Sequence, residues 1–332
     1  MNMQKWCKNL IGAESKKAMP ILSFPCIKLL GVSVKELISD SALMAKGMKA
    51  IADRCGSLAA VGMMDLSVES DAFGAKITFS DDEVPTVTRQ LLPDEDAIDN
   101  LVIPDVYANR TMNYVNAIKI ATGLITDRPV FAGVIGPFSL GGRLMDMSEI
   151  MVNCYIEPDF VHKTLAKATE FIINYVKAFK AAGANGILMA EPAAGLLSPD
   201  LIQEFSTPYV RRIIEAVRDD EFCIIYHNCG NTIPLIDSIK TIGANGYHFG
   251  NAINLIEALE LMPKDVPVFG NIDPSSQFRN GTPESIYAAT MKLIAECRKY
   301  DNFMPSSGCD IPPLAPWDNI DAFFKAVKDS YK

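Results

Sequence analysis

Short apolar segments recur along the chain, and longer segments with apolar residues at helical spacing lie between them. Eight of the short segments have the length and the content of β-branched and aromatic residues that are typical of strands. They cover residues 20–24, 58–63, 129–135, 186–189, 222–226, 246–249, 267–270 and, with a weaker pattern, 302–305. Several are apolar at every position, which is expected of parallel strands buried on both faces.

The intervening segments follow the 3.6-residue period of amphipathic helices. The pattern is clearest after Pro158, where Val161, Leu165 and Phe171 share one face and Gly183 ends the repeat. Ser198 and Pro199 are a typical N-cap and first residue of another helix. The predicted helices cover residues 34–55, 158–182, 198–217, 232–242, 253–261, 283–299 and 316–331.

Strands that alternate with helices in this way predict a (β/α)8 TIM barrel, with residues 1–332 forming one domain. A doubly wound open sheet is the alternative, but it usually has fewer strands, and no Gly-x-Gly-x-x-Gly follows a predicted strand. Segments 75–79 and 86–88 are separated by an acidic turn at 80–83. They predict a β-hairpin inserted after the second strand.

Composition excludes several classes of function. The 332 residues include 31 Lys and Arg against 40 Asp and Glu, a net charge of −9, which disfavours binding to nucleic acid or to an anionic membrane. No apolar run approaches the roughly 20 residues of a membrane span, and we expect a cytoplasmic protein without a signal peptide. Eight cysteines are too few for a disulfide scaffold, so thiols with a role are expected to be metal ligands or nucleophiles.

Side chains able to do chemistry follow seven of the predicted strands. In a barrel the active site is built at the carboxyl ends of the strands, so these positions share one face. The candidates are Asp65, Phe138 with the preceding Gly136 and Pro137, Glu191, His227, Cys229, His248, Asn271, Asp273 and Cys309.

The strongest local signal is His227-Asn228-Cys229. Residues i and i+2 of an extended segment point the same way, so an imidazole and a thiolate can bind one ion. Zinc prefers this mixture of nitrogen and sulfur and takes three protein ligands in catalytic sites. Cys309, at the end of the last strand, is the candidate third ligand.

Structural roles are the alternative for these residues. Cysteines are often buried as small hydrophobic side chains, and the six cysteines other than Cys229 and Cys309 are interpreted in that way. His248 is either a core histidine or a base of the site. Glu191 and Asp65 each follow a buried strand, where a carboxylate is costly unless it is paired or binds a ligand.

Three segments resemble the uroporphyrinogen decarboxylase superfamily. They are residues 226–231 (YHNCGN), 270–274 (GNIDP) and 307–313 (SGCDIPP), followed by Pro316 and Asn319. Weaker similarity covers residues 136–138, 191–192, 197–199 and Asp65 with 72–74. The sequence most resembles the methyltransferase branch, the methylcobalamin:coenzyme M methyltransferases and their relatives. The resemblance implies a (β/α)8 barrel and zinc held by His227, Cys229 and Cys309.

The decarboxylase branch matches less well. Those enzymes are similar at Asp65, where an aspartate binds pyrrole N–H groups, but they carry an arginine-rich N-terminal loop for the carboxylates of the substrate. Here residues 22–27 contain no arginine, and the first arginine of the chain is Arg54. The decarboxylases also have a histidine at the position of Cys309. The thiols therefore favour the zinc branch, and Asp65 is the feature that retains a possible contact with a tetrapyrrole.

The resemblance implies a mechanism. Zinc would bind the thiol of a small-molecule methyl acceptor, and the thiolate would attack a methyl group on the cobalt of a corrinoid, usually held by a separate carrier protein. Glu191, ahead of Asp273, is the candidate to fill the fourth metal position or orient a ligand. Asn271, Asp273, His248 and Phe138 are the candidates for binding substrate or corrinoid. Coenzyme M, another thiol or a folate remain open as acceptor, and so does the direction of transfer.

Three functions thus follow from the sequence. The first is a zinc-dependent corrinoid methyltransferase. The second is a uroporphyrinogen decarboxylase-type lyase acting through Asp65, which needs no metal. The third is a non-catalytic barrel that binds a corrinoid protein or a metal.

Overall fold

The structure, a computed structural model, describes residues 1–332. Its centre is a sheet of seven parallel strands, each paired with the next along the chain, that curls as in a TIM barrel. The seven strands are β1 (Ala60–Val61), β4 (Val130–Ile135), β5 (Gly186–Ala190), β6 (Cys223–Asn228), β7 (Gly246–Phe249), β8 (Val268–Ile272) and β9 (Phe303–Ser307). The order is that of a barrel, and it differs from the alternative of a doubly wound sheet, where the order reverses.

The prediction of an eighth strand at residues 20–24 is wrong. This segment is extended and lies between the two ends of the sheet: Met19 N donates to Pro305 O over 3.0 Å, and Leu58 N donates to Ala18 O over 2.8 Å. Pro20 has no N–H to give to a ladder, and Ile21 N donates to the Ser307 side chain instead. The segment therefore fills the place of a strand without its hydrogen-bond pattern.

Sixteen helices surround the sheet. The helices before β5 are α1 (Met3–Leu10), α2 (Cys26–Leu30), α3 (Val34–Ser39), α4 (Ser41–Arg54), α5 (Val68–Ala72), α6 (Glu95–Asn100), α7 (Thr111–Leu124), α8 (Pro137–Met145), α9 (Met147–Ile156) and α10 (Pro158–Ala181). Those after it are α11 (Pro199–Phe205), α12 (Thr207–Val217), α13 (Ile236–Ile239), α14 (Leu255–Leu261), α15 (Pro283–Cys297) and α16 (Trp317–Ser330). None is long and apolar enough to cross a membrane.

Two predicted helices are each divided in two. The predicted helix 34–55 breaks at Asp40, whose side chain accepts from Ala42 N and Leu43 N and starts α4. The predicted helix 198–217 breaks at Ser206, two residues before Pro208, which lacks the N–H that would continue the ladder. The predicted helix 232–242 is a series of short helical turns around α13. Apolar periodicity alone did not reveal these breaks.

A short antiparallel pair interrupts the alternation of strands and helices. The strands β2 (Ile77–Thr78) and β3 (Thr86–Val87) pair with Ile77 opposite Val87. Each has two residues, so the pair is shorter than the hairpin expected from segments 75–79 and 86–88. Residues 87–90 line one wall of a cavity at the carboxyl end of the sheet.

The interior of the barrel is filled in layers. Met3, Cys7 and Leu10 of α1 close the amino end and pack in one cluster with apolar side chains of the strands. Cys223 and Ile225 of β6 belong to this cluster. Because side chains alternate along a strand, His227 is the next residue of β6 to point inward, at the carboxyl end of the barrel. An apolar floor thus supports the polar layer above it.

Candidate metal centre

Two strand ends bring an imidazole and two thiols together. His227 lies in β6, Cys229 follows that strand directly, and Cys309 follows β9. The possible ligand atoms of the three residues all lie within 4.8 Å of one another. Cys309 Sγ is 3.5 Å from His227 Nε2. His227 is buried and the two cysteines are half-buried, so the cluster lies at the boundary between the barrel interior and its open end.

Glycines allow the loops of this cluster to approach one another. A Cβ on Gly250, in the loop after β7, would lie 2.5 Å from Cys229 Cα. A Cβ on Gly308 would lie 2.7 Å from the side-chain oxygen of Asn251 in the same loop. No real Cβ fits at such distances, so the positions of Cys229 and Cys309 require glycine at both 250 and 308.

The pKa values of the two thiols are shifted in opposite directions. A hydrogen bond from Cys309, against the effect of burial and with help from His227, lowers the pKa of Cys229 to about 4. The same interaction, together with burial, raises the pKa of Cys309 well above its ordinary value. At neutral pH Cys229 is therefore the thiolate of the pair and Cys309 keeps its proton. A cation bound between them would displace that proton.

His248 lies beside His227 in the neighbouring strand β7. The two rings meet edge to face, with their Nδ1 atoms 2.8 Å apart. The other nitrogen of His248, Nε2, is 2.8 Å from Ser306 Oγ. Burial, and then the neighbouring ring of His227, hold the pKa of His248 well below its ordinary value. His248 is therefore a neutral ring in contact with the metal centre, and it does not reach the cavity.

Through Cys229 the cluster opens on a cavity with a volume of about 490 Å³. Cys229 and Gly230 form part of its wall, and most of the remaining wall comes from α8, the residues after β3 and the turn after β5. Arg89, Arg143 and Asp146 supply its charged groups, and Leu66, Ile135 and Leu196 are among its apolar ones. A cavity of this size fits a small molecule or part of a larger one.

Glu191 is buried next to the cluster but is bound elsewhere. One carboxylate oxygen accepts from Phe138 N over 2.7 Å, and the other accepts from Ser139 N over 3.1 Å. Both amides belong to the first turn of α8, whose dipole favours a negative charge there. Burial nevertheless raises the pKa of Glu191 to about 7. The carboxyl group is outside the cluster of candidate ligands.

Both carboxylate oxygens of Asp65 also accept hydrogen bonds from inside the protein. One of its oxygens accepts from Arg110 Nη1 over 2.6 Å and from Tyr114 over 2.8 Å. The other accepts from the backbone N and the hydroxyl of Ser67. A carboxylate has about four acceptor positions, so none remains for a pyrrole N–H.

The other predicted binding residues have partners inside the protein. Asn271 donates to Gly250 O and Ile253 O, which holds the loop after β7. Asp273 accepts from Ser275 N and Ser276 N and caps the π-helical turn Pro274–Arg279. The side chain of Phe138 is fully buried in the core. None of the three lines the cavity.

Sequence reasoning missed three residues of this region. Arg110 pairs with Asp65 across 45 positions of sequence, which no local pattern reveals. Arg143 lines the cavity from the last turn of α8, a helix that contains no other charge. Ser306, which contacts His248, did carry a signal, because a serine in a fully buried strand needs a hydrogen-bond partner.

The donor set fits zinc. Two thiolates and one imidazole nitrogen are ligands that zinc prefers, and three protein ligands are typical of a catalytic site with one open position. Bonds of 2.0–2.3 Å in a tetrahedron place ligand atoms about 3.3–3.8 Å apart. The separation of 3.5 Å between Cys309 Sγ and His227 Nε2 already lies in that range, and the widest separation in the cluster, up to 4.8 Å, needs a movement of about 1 Å.

Comparison with known proteins identifies relatives with two kinds of activity. A methylcobamide:coenzyme M methyltransferase of Methanosarcina mazei is 25% identical over 298 residues, which cover 89% of this chain and 86% of the relative. A uroporphyrinogen decarboxylase of Neisseria meningitidis is 28% identical over 256 residues, which cover 72% of this chain and 69% of the relative.

A solved structure of a methyltransferase from Methanosarcina mazei has the same fold. It superposes with a TM-score of 0.88 over the whole of both chains, at 23% identity. The family model for uroporphyrinogen decarboxylase (URO-D) matches residues 17–330, which include every strand and all but the first helix. The chain belongs to the uroporphyrinogen decarboxylase (URO-D) family.

Proposed function

We propose that this protein is a zinc-dependent methyltransferase that moves a methyl group between a corrinoid and a thiol. One observation carries the proposal: His227, Cys229 and Cys309 converge within 4.8 Å, and Cys229 also forms part of the wall of the cavity. A metal held by these side chains would face the space where a substrate can bind. The similarity to a methylcobamide:coenzyme M methyltransferase supports the corrinoid and the thiol as reactants.

The protein side chains hold the metal and shape its surroundings. Zinc held by two thiolates and an imidazole would stabilise a substrate thiolate at neutral pH and would leave it nucleophilic. Cys229 and Cys309 would supply the negative charge that offsets the charge of the metal, and His227 would supply a neutral nitrogen ligand. Glu191 contributes indirectly: it holds the first turn of α8, which forms one wall of the cavity.

The corrinoid is a substrate, and we propose that a separate carrier protein presents it at the open end of the barrel. In the forward reaction the acceptor sulfur forms a bond to the methyl carbon, and the carbon–cobalt bond breaks with its electron pair on cobalt. The acceptor is a small thiol of the coenzyme M type. Transfer from a methylated thiol to the corrinoid is the reverse of the same step.

Metal analysis combined with methyl transfer tests the proposal. Purified protein should contain about one zinc per chain, and Cys229→Ser and Cys309→Ser should each lose most of it. Cys154→Ser, which removes a buried thiol on α9 outside the cluster, is the matched control and should keep the metal. With free methylcobalamin and coenzyme M as probes, the loss of the methyl–cobalt absorbance should require zinc and both cysteines.

Other outcomes would favour the other functions. Decarboxylation of a porphyrinogen by the metal-free protein would overturn the proposal in favour of a lyase, which the 28% identity to a decarboxylase keeps as the second candidate. The saturated hydrogen bonding of Asp65 argues against it. Zinc binding without methyl transfer to any thiol or folate would overturn it in favour of a non-catalytic metal-binding barrel.

A further inference from the structure

A chain of hydrogen bonds runs from the metal centre across the barrel to the N-terminal segment. His227 Nδ1 is 2.8 Å from His248 Nδ1, and His248 Nε2 is 2.8 Å from Ser306 Oγ. The Ser306 hydroxyl donates over 2.7 Å to the carbonyl oxygen of Met19. His227, His248 and Ser306 are all buried, so no solvent competes for these bonds.

The hydrogen bond to the Met19 carbonyl determines which atom donates in each of the other hydrogen bonds. A backbone carbonyl can only accept, so Ser306 gives its single proton to Met19 and must accept from His248 Nε2. A neutral imidazole has one N–H and one lone pair. His248 therefore carries its proton on Nε2 and presents the lone pair of Nδ1 to His227.

The contacts of His227 are consistent with this assignment of donors and acceptors. The carbonyl oxygen of His248 lies 3.2 Å from His227 Nδ1, so this nitrogen faces two acceptors and carries the proton of its ring. The lone pair of His227 is then on Nε2, the atom that lies 3.5 Å from Cys309 Sγ. This is the tautomer that a metal ligand needs on that side of the ring.

We propose that His248 and Ser306 are positioning residues that hold His227 in the tautomer able to bind metal through Nε2. The proposal rests on the metal centre of the proposed function, and it adds that the segment containing Met19 takes part in that centre. The partners of metal-binding histidines commonly change metal affinity 10- to 100-fold when they are removed. Here the carbonyl of His248 remains as a second acceptor, so we expect the lower end of that range.

Two neighbouring serines of β9 provide a matched test. Ser306→Ala removes the acceptor for His248 and allows that ring to turn its proton toward His227. Ser307→Ala removes an equally buried hydroxyl, which accepts from Ile21 N and forms no hydrogen bond to either histidine. Competition with a chromophoric chelator should show zinc affinity about tenfold lower for Ser306→Ala and unchanged for Ser307→Ala.

Substitutions of His248 give a graded result. The side-chain oxygen of His248→Asn can accept from His227 as Nδ1 does, whereas His248→Leu offers no acceptor. We expect zinc affinity to fall in the order wild type, His248→Asn, His248→Leu. Equal affinities of the asparagine and leucine variants would contradict the role assigned to the lone pair of His248.

Imidazole NMR provides a readout on the unsubstituted protein. The chain has three histidines, so long-range ¹⁵N–¹H correlations of histidine-labelled, zinc-loaded protein should resolve all three rings. We expect the proton on Nδ1 of His227 and on Nε2 of His248. A proton on Nδ1 of His248 would overturn this proposal alone, as would equal zinc affinities of the two serine variants. A wild-type protein that binds no zinc would overturn the proposed function as well.

Discussion

The Nε2 atom of His227 and the Sγ atom of Cys309 lie 3.5 Å apart, although 82 positions of sequence separate the two residues. Strands β7 and β8 lie between the strands that carry them, and the curvature of the sheet brings the two ends together. The contact therefore depends on the curvature of the sheet between β6 and β9. Because one metal ion would contact both side chains, metal binding tests whether His227 and Cys309 lie this close together.

Zinc binding should release one proton at neutral pH. Cys229 has a pKa of about 4 and is already a thiolate, while the pKa of Cys309 is raised and its thiol still holds a proton. Metal binding must displace that proton, so the apparent dissociation constant should fall about tenfold per pH unit between about pH 6 and 8. Calorimetry in buffers with different ionisation enthalpies measures directly the number of protons released when zinc binds. Release of two protons would show that both thiols are protonated in the free protein.

Replacement of Glu69 by glutamine should remove a loss of unfolding free energy that grows with pH, because the buried carboxyl group ionises. Burial raises the pKa of Glu69 from 4.5 to about 7; one oxygen accepts from Ile135 N, and the other has no partner. Because the folded pKa is raised, this group's contribution to stability is full below about pH 4.5 and is lost as the pH rises to about 7. The loss is about 3 kcal/mol, since each pH unit is worth about 1.4 kcal/mol.

Denaturant titrations at two pH values test this prediction. Glu69→Gln should gain up to about 3 kcal/mol of unfolding free energy relative to wild type between about pH 5 and pH 8. Glu215→Gln, the same substitution at an exposed position of α12, should show no such gain. A pH-independent difference between Glu69→Gln and wild type would mean that Glu69 ionises normally in the folded protein.

Asp65→Asn should destabilise the fold and leave the metal centre intact. The new amide would direct N–H groups at Arg110 and Tyr114, which now donate to the carboxylate. Breaking a buried ion pair costs about 3–5 kcal/mol, and Arg110 keeps its second partner, Asp71, so we expect about 3 kcal/mol. Thermal or urea unfolding measures the loss, and zinc content should not change.

The same substitution on an exposed ion pair is the control. Asp53→Asn, which removes the partner of Lys49 on the surface of α4, should cost less than about 0.5 kcal/mol. If Asp65→Asn is as stable as Asp53→Asn but has lost activity, then Asp65 takes part in the reaction and its structural role here is wrong.

Gly136→Ala should displace Glu191. A Cβ at Gly136 would lie 2.0 Å from Glu191 Oε2, so the carboxyl group would have to leave the amides of α8. Overpacking of this kind costs about 1–3 kcal/mol. Gly123→Ala in helix α7, where nothing lies within 4 Å of the added atom, should instead stabilise by up to about 1 kcal/mol. Equal effects of the two substitutions would mean that the turn at Gly136 has room to move.

Much of the fold could be read from local pattern. Seven of the eight predicted strands match strands of the sheet, because buried parallel strands are continuous apolar runs. The prediction of a strand at 20–24 was wrong because Pro20 has no N–H to donate and Ile21 N donates to the side chain of Ser307 instead of to a neighbouring strand. Apolar content alone does not indicate which groups form hydrogen bonds. The helix breaks at Asp40 and Ser206 were missed for a similar reason, since capping and proline effects act within an otherwise continuous apolar period.

By itself the sequence determined which residues could act as ligands. The spacing of His227 and Cys229, and the glycines beside Cys229 and Cys309, are local features that survive in any arrangement of the chain. Only the tertiary structure decided which candidates meet. It brings Cys309 to His227, it binds the carboxylates of Glu191 and Asp65 to backbone amides and Arg110, and it turns Asn271 into a loop contact. The reason is physical: a buried polar group must find a partner, and that partner comes from whichever segment the curled sheet places beside it.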